Sequence, residues 1–256
     1  MAQRISVDAL TALASRLLEK AGLASDRAAV VAGVLIEADL LGHTTHGLAL
    51  LPDYLGEIAG GRMTTSGTPE VVAASPSSLV WDGRRLPGPW LVTEAARIAA
   101  DRAATTGTFS VVIRRSHHIA CLAAYLLPLT ERGLMVIIAS SDPNTASVAP
   151  FGGTQRLITP NPLAVGIPTG GDPLLIDISM STTTNAMTAR SRDEKRLLPS
   201  EWLLDNAGNA TNDPNVFFTD PPGSILPLGG TDLGYKGFAL GLLIEALTGG
   251  LAGFGR

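Results

Sequence analysis

The chain has four histidines, and they fall in two pairs: His43 and His46, spaced H-x-x-H, and the adjacent His117 and His118. An imidazole titrates near neutrality, which makes histidine the natural side chain to give or take a proton at physiological pH. The first pair sits in Gly42-His43-Thr44-Thr45-His46-Gly47, where Thr45 sets a hydroxyl beside His46 to steer its ring or a substrate oxygen. The second pair follows Arg114-Arg115-Ser116. Such residues also serve as helix caps or core fillers. Two histidine-bearing segments rich in Gly, Ser and Thr nevertheless favour proton chemistry, with His46 and His118 facing one pocket. Four histidines also suit zinc, but H-E-x-x-H is absent and the single cysteine, Cys121, falls in a predicted helix, so no metal is expected. Ser141-Asp142 follows an apolar run. Asp142 there can pair with an imidazole and raise its pKa, or make an Asx turn before Pro143, which is the commoner use. In Gly234-Tyr235-Lys236-Gly237 a lysine suited to phosphate is flanked by glycines that admit close backbone approach. Neither a P-loop nor a G-x-G-x-x-G after a strand is present, so no standard dinucleotide site is supported. Taken alone, these residues give an α/β enzyme with a histidine acid/base and an unnamed reaction.

The elements that carry these residues follow from periodicity and punctuation. Ser6 caps a helix over 6–21, with Leu10, Leu13 and Leu17 on one face. Ser25 or Asp26 caps a second helix reaching Leu41, with Ala29, Gly33, Ile36 and Leu40 on the buried stripe. Gly42 takes the C-terminal cap, so the first histidine pair lies just past a helix end and His43 reads as structural. A short helix spans 48–59. Residues 62–78, rich in Thr, Ser, Gly and Pro, read as an extended connection and a domain boundary. Strands are expected at 78–82, 109–113, 134–139, 163–167 and 174–178. Helices are expected at 91–106, with Ala95, Ile98 and Ala99 inward, and at 120–132, 185–195 and a final apolar stretch beginning at Gly234. Residues 205–213 and 220–223 read as polar loops.

Composition bounds the class. Hydrophobic residues make up 45% of 256 and charged residues 16%, enough for a sizeable core. A net charge of −4 argues against nucleic acid as a partner. One cysteine permits no internal disulfide. The most apolar stretch, 237–252, is broken by Glu245, Gly241, Gly249 and Gly250 and is shorter than the roughly 18–20 residues of a membrane span. No charged-then-apolar leader opens the chain, so a soluble cytoplasmic protein is expected.

The motifs appear in a telling order: Gly42-His43-Thr44-Thr45-His46-Gly47 with Leu51-Pro52 and Tyr54, Ser116-His117-His118, Val148-Ala149-Pro150-Phe151-Gly152-Gly153, Asn161-Pro162-Leu163-Ala164, Asp177-Ile178-Ser179-Met180-Ser181, Leu226-Pro227-Leu228-Gly229-Gly230 and Gly234-Tyr235-Lys236-Gly237. This series resembles the malate/L-lactate dehydrogenase family of the non-Rossmann type, which includes ureidoglycolate dehydrogenase, diketogulonate reductase, sulfolactate dehydrogenase and piperideine-carboxylate reductase. The resemblance covers nearly the whole chain. It implies an α/β, non-Rossmann NAD(P)-binding fold with a mixed, largely antiparallel sheet. A helical N-terminal domain would occupy 1–75 and the NAD(P)-binding, catalytic domain 76–256. It also implies hydride transfer between NAD or NADP and a 2-oxo/2-hydroxy acid or related imine, in a homodimer. The family's serine–histidine pair falls on Thr45-His46, with the histidine as proton donor. A second histidine near substrate and nicotinamide falls on His118, and a Ser–Asp pair on Ser141-Asp142. Cofactor contacts fall on Thr159, Pro160, Asn161 and Pro162, on Asp177, Ile178 and Ser179, and on Tyr235 and Lys236.

The chain departs from that pattern at several places. Thr45 stands for serine. Leu50 occupies the position where many relatives carry an arginine that clamps the substrate carboxylate, leaving Arg114, Arg115 or Arg190 for that task. His118-Ile119-Ala120 replaces His-Phe-Gly, and Pro160 replaces a frequent threonine. Family members also continue beyond the position of Arg256. Two other readings remain alongside the dehydrogenase: a shortened, non-catalytic homologue acting as a binding or dimerising module, and a metal-dependent hydrolase using the four histidines.

Overall fold

The computed structural model describes residues 4–254. They form two compact units: one reaches to Val136 and includes Val165–Ile176, the other takes Ile137–Ala164 and the chain from Asp177 onward. The boundary expected near residue 75 falls in a hairpin inside the first unit.

The first unit begins with α1 (Val7–Lys20), α2 (Ser25–Leu40) and α3 (Leu51–Ala59). Ser6 caps α1 by accepting the Ala9 N–H. α2 starts one residue earlier than a Ser25 or Asp26 cap allows: its N-cap is Ala24, which makes no side-chain bond. Its buried face also differs from expectation. Ala28, Val31, Leu35 and Ala38 are buried, whereas Ala29 and Leu40 are exposed, because α2 packs against both α1 and α4 and so buries a wide stripe. On α1 the buried residues are Ala14 and Leu18, and Leu13 is exposed. Gly42 closes α2 as expected, at φ 88°.

β1 (Glu70–Ser75) pairs antiparallel with β2 (Ser78–Asp82), and β2 pairs parallel with β3 (Ser110–Arg114) across α4 (Gly88–Thr106). β1 lies where only an extended connection is expected. All six of its residues are exposed, so no burial alternation marks it in the sequence. The single helix expected over 120–132 is a 3₁₀ turn, Leu122–Tyr125, followed by the short α5 (Leu127–Thr130). Ala120 is left-handed at φ 57°, and Pro128 has no N–H to continue an earlier helix.

β4 (Val136–Ala139), β5 (Pro162–Ile167) and β6 (Leu174–Ser179) make a second sheet in that order. The second unit continues with α6 (Asn185–Asp193), β7 (Leu203–Leu204), β8 (Ala210–Thr211), β9 (Ser224–Ile225) and α7 (Gly230–Glu245). β7 pairs antiparallel with both β8 and β9, so the stretch read as a polar loop at 205–213 contains a strand. The unit's core joins Val148, Ile158, Met180, Leu203, Phe217 and Ile225, with Phe238 and Leu240 of α7 against it. α7 begins four residues before Gly234, so the Gly-Tyr-Lys-Gly motif lies inside the helix. Gly237 packs on the Leu228 backbone and Gly241 on Met180 and Ile158, approaches that a Cβ would block. The mixed α/β architecture expected from the sequence is the one observed. Among the described residues no helix is long and apolar enough to cross a membrane.

Candidate active site

The chain leaves α2 through Gly42 and turns tightly, the His46 N–H donating to the His43 carbonyl at 2.8 Å. Asp39, in the last turn of α2, anchors the far side of this turn by accepting the Leu48 N–H at 2.9 Å. Its carboxylate occupies the space that a Cβ on Gly47 would need, which is why the motif ends in glycine. Thr45 Oγ1 lies 2.9 Å from His46 Nδ1. One ring nitrogen of His46 is thereby held by its neighbour.

His117 and His118 follow β3. The parallel pair β2–β3 ends in a charged knot that sets their position. Asp82, at the end of β2, is almost fully buried. It accepts from Arg114 Nε at 3.2 Å, Arg115 Nε at 2.9 Å and the Arg84 N–H at 3.0 Å. Burial pushes the Asp82 carboxyl up, but bonds from Arg115, the Arg84 amide and Arg114 outweigh it and hold it below the usual range. Arg114 and Arg115, both eligible as substrate clamps on sequence grounds, are thus engaged with Asp82.

The two histidine segments converge. The rings of His46 and His118 stack with centroids 6.0 Å apart and planes 21° apart. His46 is half-buried and His118 exposed. Beneath them Tyr54 of α3 is only 2% exposed. Its hydroxyl lies 3.0 Å from His118 Nδ1 and 3.0 Å from the His118 carbonyl oxygen. Burial pushes the Tyr54 phenol far above its ordinary range, so it stays protonated. The Ala120 N–H donates to the same His118 Nδ1 at 3.2 Å. His117 turns the other way, its ring edge-on to Tyr54 at 5.5 Å and its Nε2 3.5 Å from Glu57 Oε2. Burial lowers the His117 pKa despite Glu57 beside it. The Glu57 carboxyl is itself held low, first by its bond from Arg62.

The other sequence-chosen residues belong to the second unit. Asp142 accepts from the Asn144 N–H at 2.9 Å and the Thr145 hydroxyl at 2.6 Å, the Asx turn open to it from the sequence. Ser141 Oγ meets Thr248 Oγ1 at 2.9 Å. Thr159 and Asn161 are buried, and Pro160 and Pro162 half-buried. Asn161 is left-handed at φ 44°. Its Nδ2 donates to the Gly241 carbonyl at 3.2 Å and to Glu245 Oε1 at 2.8 Å, while its buried Oδ1 has no partner among the described residues. Asp177, Ile178 and Ser179 end β6, with Ile178 exposed and Ser179 Oγ donating to the Ser181 carbonyl at 3.1 Å. Tyr235 and Lys236 are exposed on the second turn of α7. Lys236 borders a cavity of about 270 Å³ lined also by Leu228, Leu233 and Leu240.

Sequence reasoning assigned no role to Asp39, Tyr54 or Glu57. Asp39 carried a signal, an acid near the end of a largely apolar helix. Tyr54 carried one too: it lies between Leu51 and Ile58 on the buried face of α3, where a phenol needs a hydrogen-bond partner.

Comparison with known proteins gives a consistent result. Residues 5–255 match the family model described as malate/L-lactate dehydrogenase. A malate dehydrogenase of Pyrococcus abyssi is 32% identical over 253 residues, spanning 98% of this chain and 69% of the relative. A (2R)-3-sulfolactate dehydrogenase (NADP(+)) of Chromohalobacter salexigens is 32% identical over 254 residues, 99% of this chain and 73% of the relative. The crystal structure of a dehydrogenase from Sinorhizobium meliloti superposes with a TM-score of 0.88 at 35% identity, covering 98% of this chain and 71% of that one.

Proposed function

The chain belongs to the malate/L-lactate dehydrogenase family, and from that membership we propose that it moves a hydride between a nicotinamide cofactor, NAD or NADP, and the C2 carbon of a small 2-oxo or 2-hydroxy acid. The observation that carries the mechanism is the stacked His46–His118 pair, with Thr45 on His46 Nδ1.

The second unit offers chemistry that suits the cofactor. Asn161 brings a buried, unpartnered acceptor oxygen on a backbone held in an uncommon conformation. Ser179 adds a hydroxyl, and Lys236 a cation beside an apolar cavity. These residues, with Thr159, Pro160, Pro162, Asp177, Ile178, Ser141 and Tyr235, are the proposed binding set. When bound, the nicotinamide ring supplies or accepts the hydride.

The chain's own groups handle the proton. His46 gives a proton from Nε2 to the substrate oxygen during reduction and takes it back during oxidation. For Nε2 to be the working nitrogen, Nδ1 must keep its hydrogen, and Thr45 Oγ1 is placed to accept it. Neutralising the forming alkoxide inside the site lowers the barrier, and positioned acid catalysis contributes on the order of 10²- to 10⁴-fold. Leu50 brings no charge to the turn after His46, and Arg114 and Arg115 are engaged with Asp82. A substrate carboxylate is therefore not held by a guanidinium in the family's usual position, and the preferred acid is expected to differ from that of relatives carrying the arginine.

We also propose self-association through the end of α7 and the turn that follows it. Ala239, Leu242 and Leu243 on the last turns of α7, Leu247 in the π-helical turn Ala246–Gly250 that follows, and Leu251 just after it are all exposed, the four leucines at least 41% so. The test of function is direct. NADH and NADPH should quench tryptophan fluorescence on binding, and absorbance of the reduced cofactor should fall with one of pyruvate, oxaloacetate, a sulfonated 2-oxo acid or a cyclic imine. Failure of both cofactors to bind favours the reading as a non-catalytic binding module.

A further inference from the structure

We infer that Tyr54 and the Ala120 amide lock His118 as its Nε2–H tautomer, so that this ring offers a hydrogen-bond donor and not a base. The inference deepens the dehydrogenase reading: it rests on that reading for what the donor meets, but not for the tautomer itself.

The Ala120 amide is the one group here whose hydrogen-bonding role is not adjustable. A backbone N–H only donates, and the Ala120 N–H lies 3.2 Å from His118 Nδ1. The same N–H also reaches the Tyr54 oxygen, and its hydrogen against Nδ1 favours a lone pair there. A neutral imidazole carries one hydrogen, which is then on Nε2. The Tyr54 hydroxyl has one hydrogen and two acceptors in reach, Nδ1 and the His118 carbonyl oxygen, each at 3.0 Å. If it donates to Nδ1 it supports the same tautomer, and if it donates to the carbonyl the Ala120 N–H still faces Nδ1. The opposite tautomer would set a ring hydrogen against the Ala120 hydrogen. Burial keeps the Tyr54 phenol protonated, so it retains a hydrogen to donate to Nδ1.

Two backbone features hold this arrangement. Ala120 is buried and left-handed at φ 57°, a conformation uncommon for a residue with a Cβ, and it is the residue whose N–H points back onto the ring. Gly88, at the start of α4, lies against the carbonyls of His117 and His118, where any Cβ would collide. Tyr54 is therefore a positioning residue, acting through His118. The consequence is a division of labour. His46 exchanges the proton, while His118 donates from Nε2 to an oxygen acceptor such as a carbonyl or carboxylate, without giving its hydrogen up.

Imidazole ¹H–¹⁵N correlation spectra of the ¹⁵N-labelled protein test this, with only four histidines to separate. His118 is assigned as the signal lost in His118→Gln. The expected wild-type spectrum, above the titration of the ring, has unprotonated Nδ1 and protonated Nε2. In Tyr54→Phe the two shifts should move toward each other as the tautomers mix, and kcat should fall roughly tenfold, the scale of one hydrogen bond. Protonated Nδ1 in the wild type overturns the inference, and so does a Tyr54→Phe spectrum identical to wild type. The wild-type spectrum decides the tautomer even if Tyr54→Phe does not fold. A protein with the expected spectrum but no turnover on any substrate defeats the dehydrogenase reading and leaves the tautomer standing. An active protein with Nδ1 protonated does the reverse.

Discussion

Thr45 Oγ1 and His46 Nδ1, 2.9 Å apart, decide which imidazole nitrogen faces the chemistry. Thr45→Val keeps the branched shape and removes the oxygen. It is expected to lower kcat roughly tenfold, while Thr45→Ser, which keeps the hydroxyl, should hold it near wild type; steady-state kinetics on the three proteins checks this. His117 gives a prediction about stability. Burial lowers its folded-state pKa below the unfolded value, so the unfolded chain binds more protons in the window between the two. Stability should therefore fall as pH drops from neutrality through the unfolded histidine pKa of about 6.5 and into that window. Urea unfolding of wild type and His117→Gln at several pH values should show a weaker dependence in the variant; equal slopes would contradict the assignment.

The elements around the histidines act mainly by excluding bulk and pinning ends. Gly88 opens α4 against the His117 and His118 carbonyls, so Gly88→Ala must displace either the helix or the loop. The expected cost is about 1–3 kcal/mol in urea denaturation, with kcat reduced because His118 moves with the loop. An unchanged midpoint and unchanged kcat would mean the contact is not tight. Much at this scale was legible from local chemistry: the Ser6 cap, the glycine that ends α2 at position 42, and the apolar strand that delivers His117 and His118. What was not legible depended on distant partners. β1 hid because none of its residues is buried. The wide buried face of α2 reflects packing against both α1 and α4. The break in 120–132 comes from a left-handed alanine, which no propensity announces.

At the scale of the whole chain, the order of the motifs from Gly42 to Gly237 identified the family, because each is weak alone and their succession is not. The residues that hold the histidines were harder to read. Tyr54 meets His118 across 64 positions and Asp82 meets Arg115 across 33, pairings that only the tertiary fold creates. The exposed leucines at the end of α7 and in the turn after it belong to this scale. Light scattering is expected to give a dimer mass for the wild type and a monomer mass for a Leu243→Glu, Leu247→Glu variant; a monomeric wild type would contradict association through that face. The central claim is that His46 is the proton donor of a nicotinamide-dependent reaction, and the most direct measurement compares kcat and cofactor Kd in wild type and His46→Ala. The expected result is a loss of kcat on the order of 10²- to 10⁴-fold with Kd for NADH or NADPH unchanged; turnover equal to wild type in His46→Ala would contradict it.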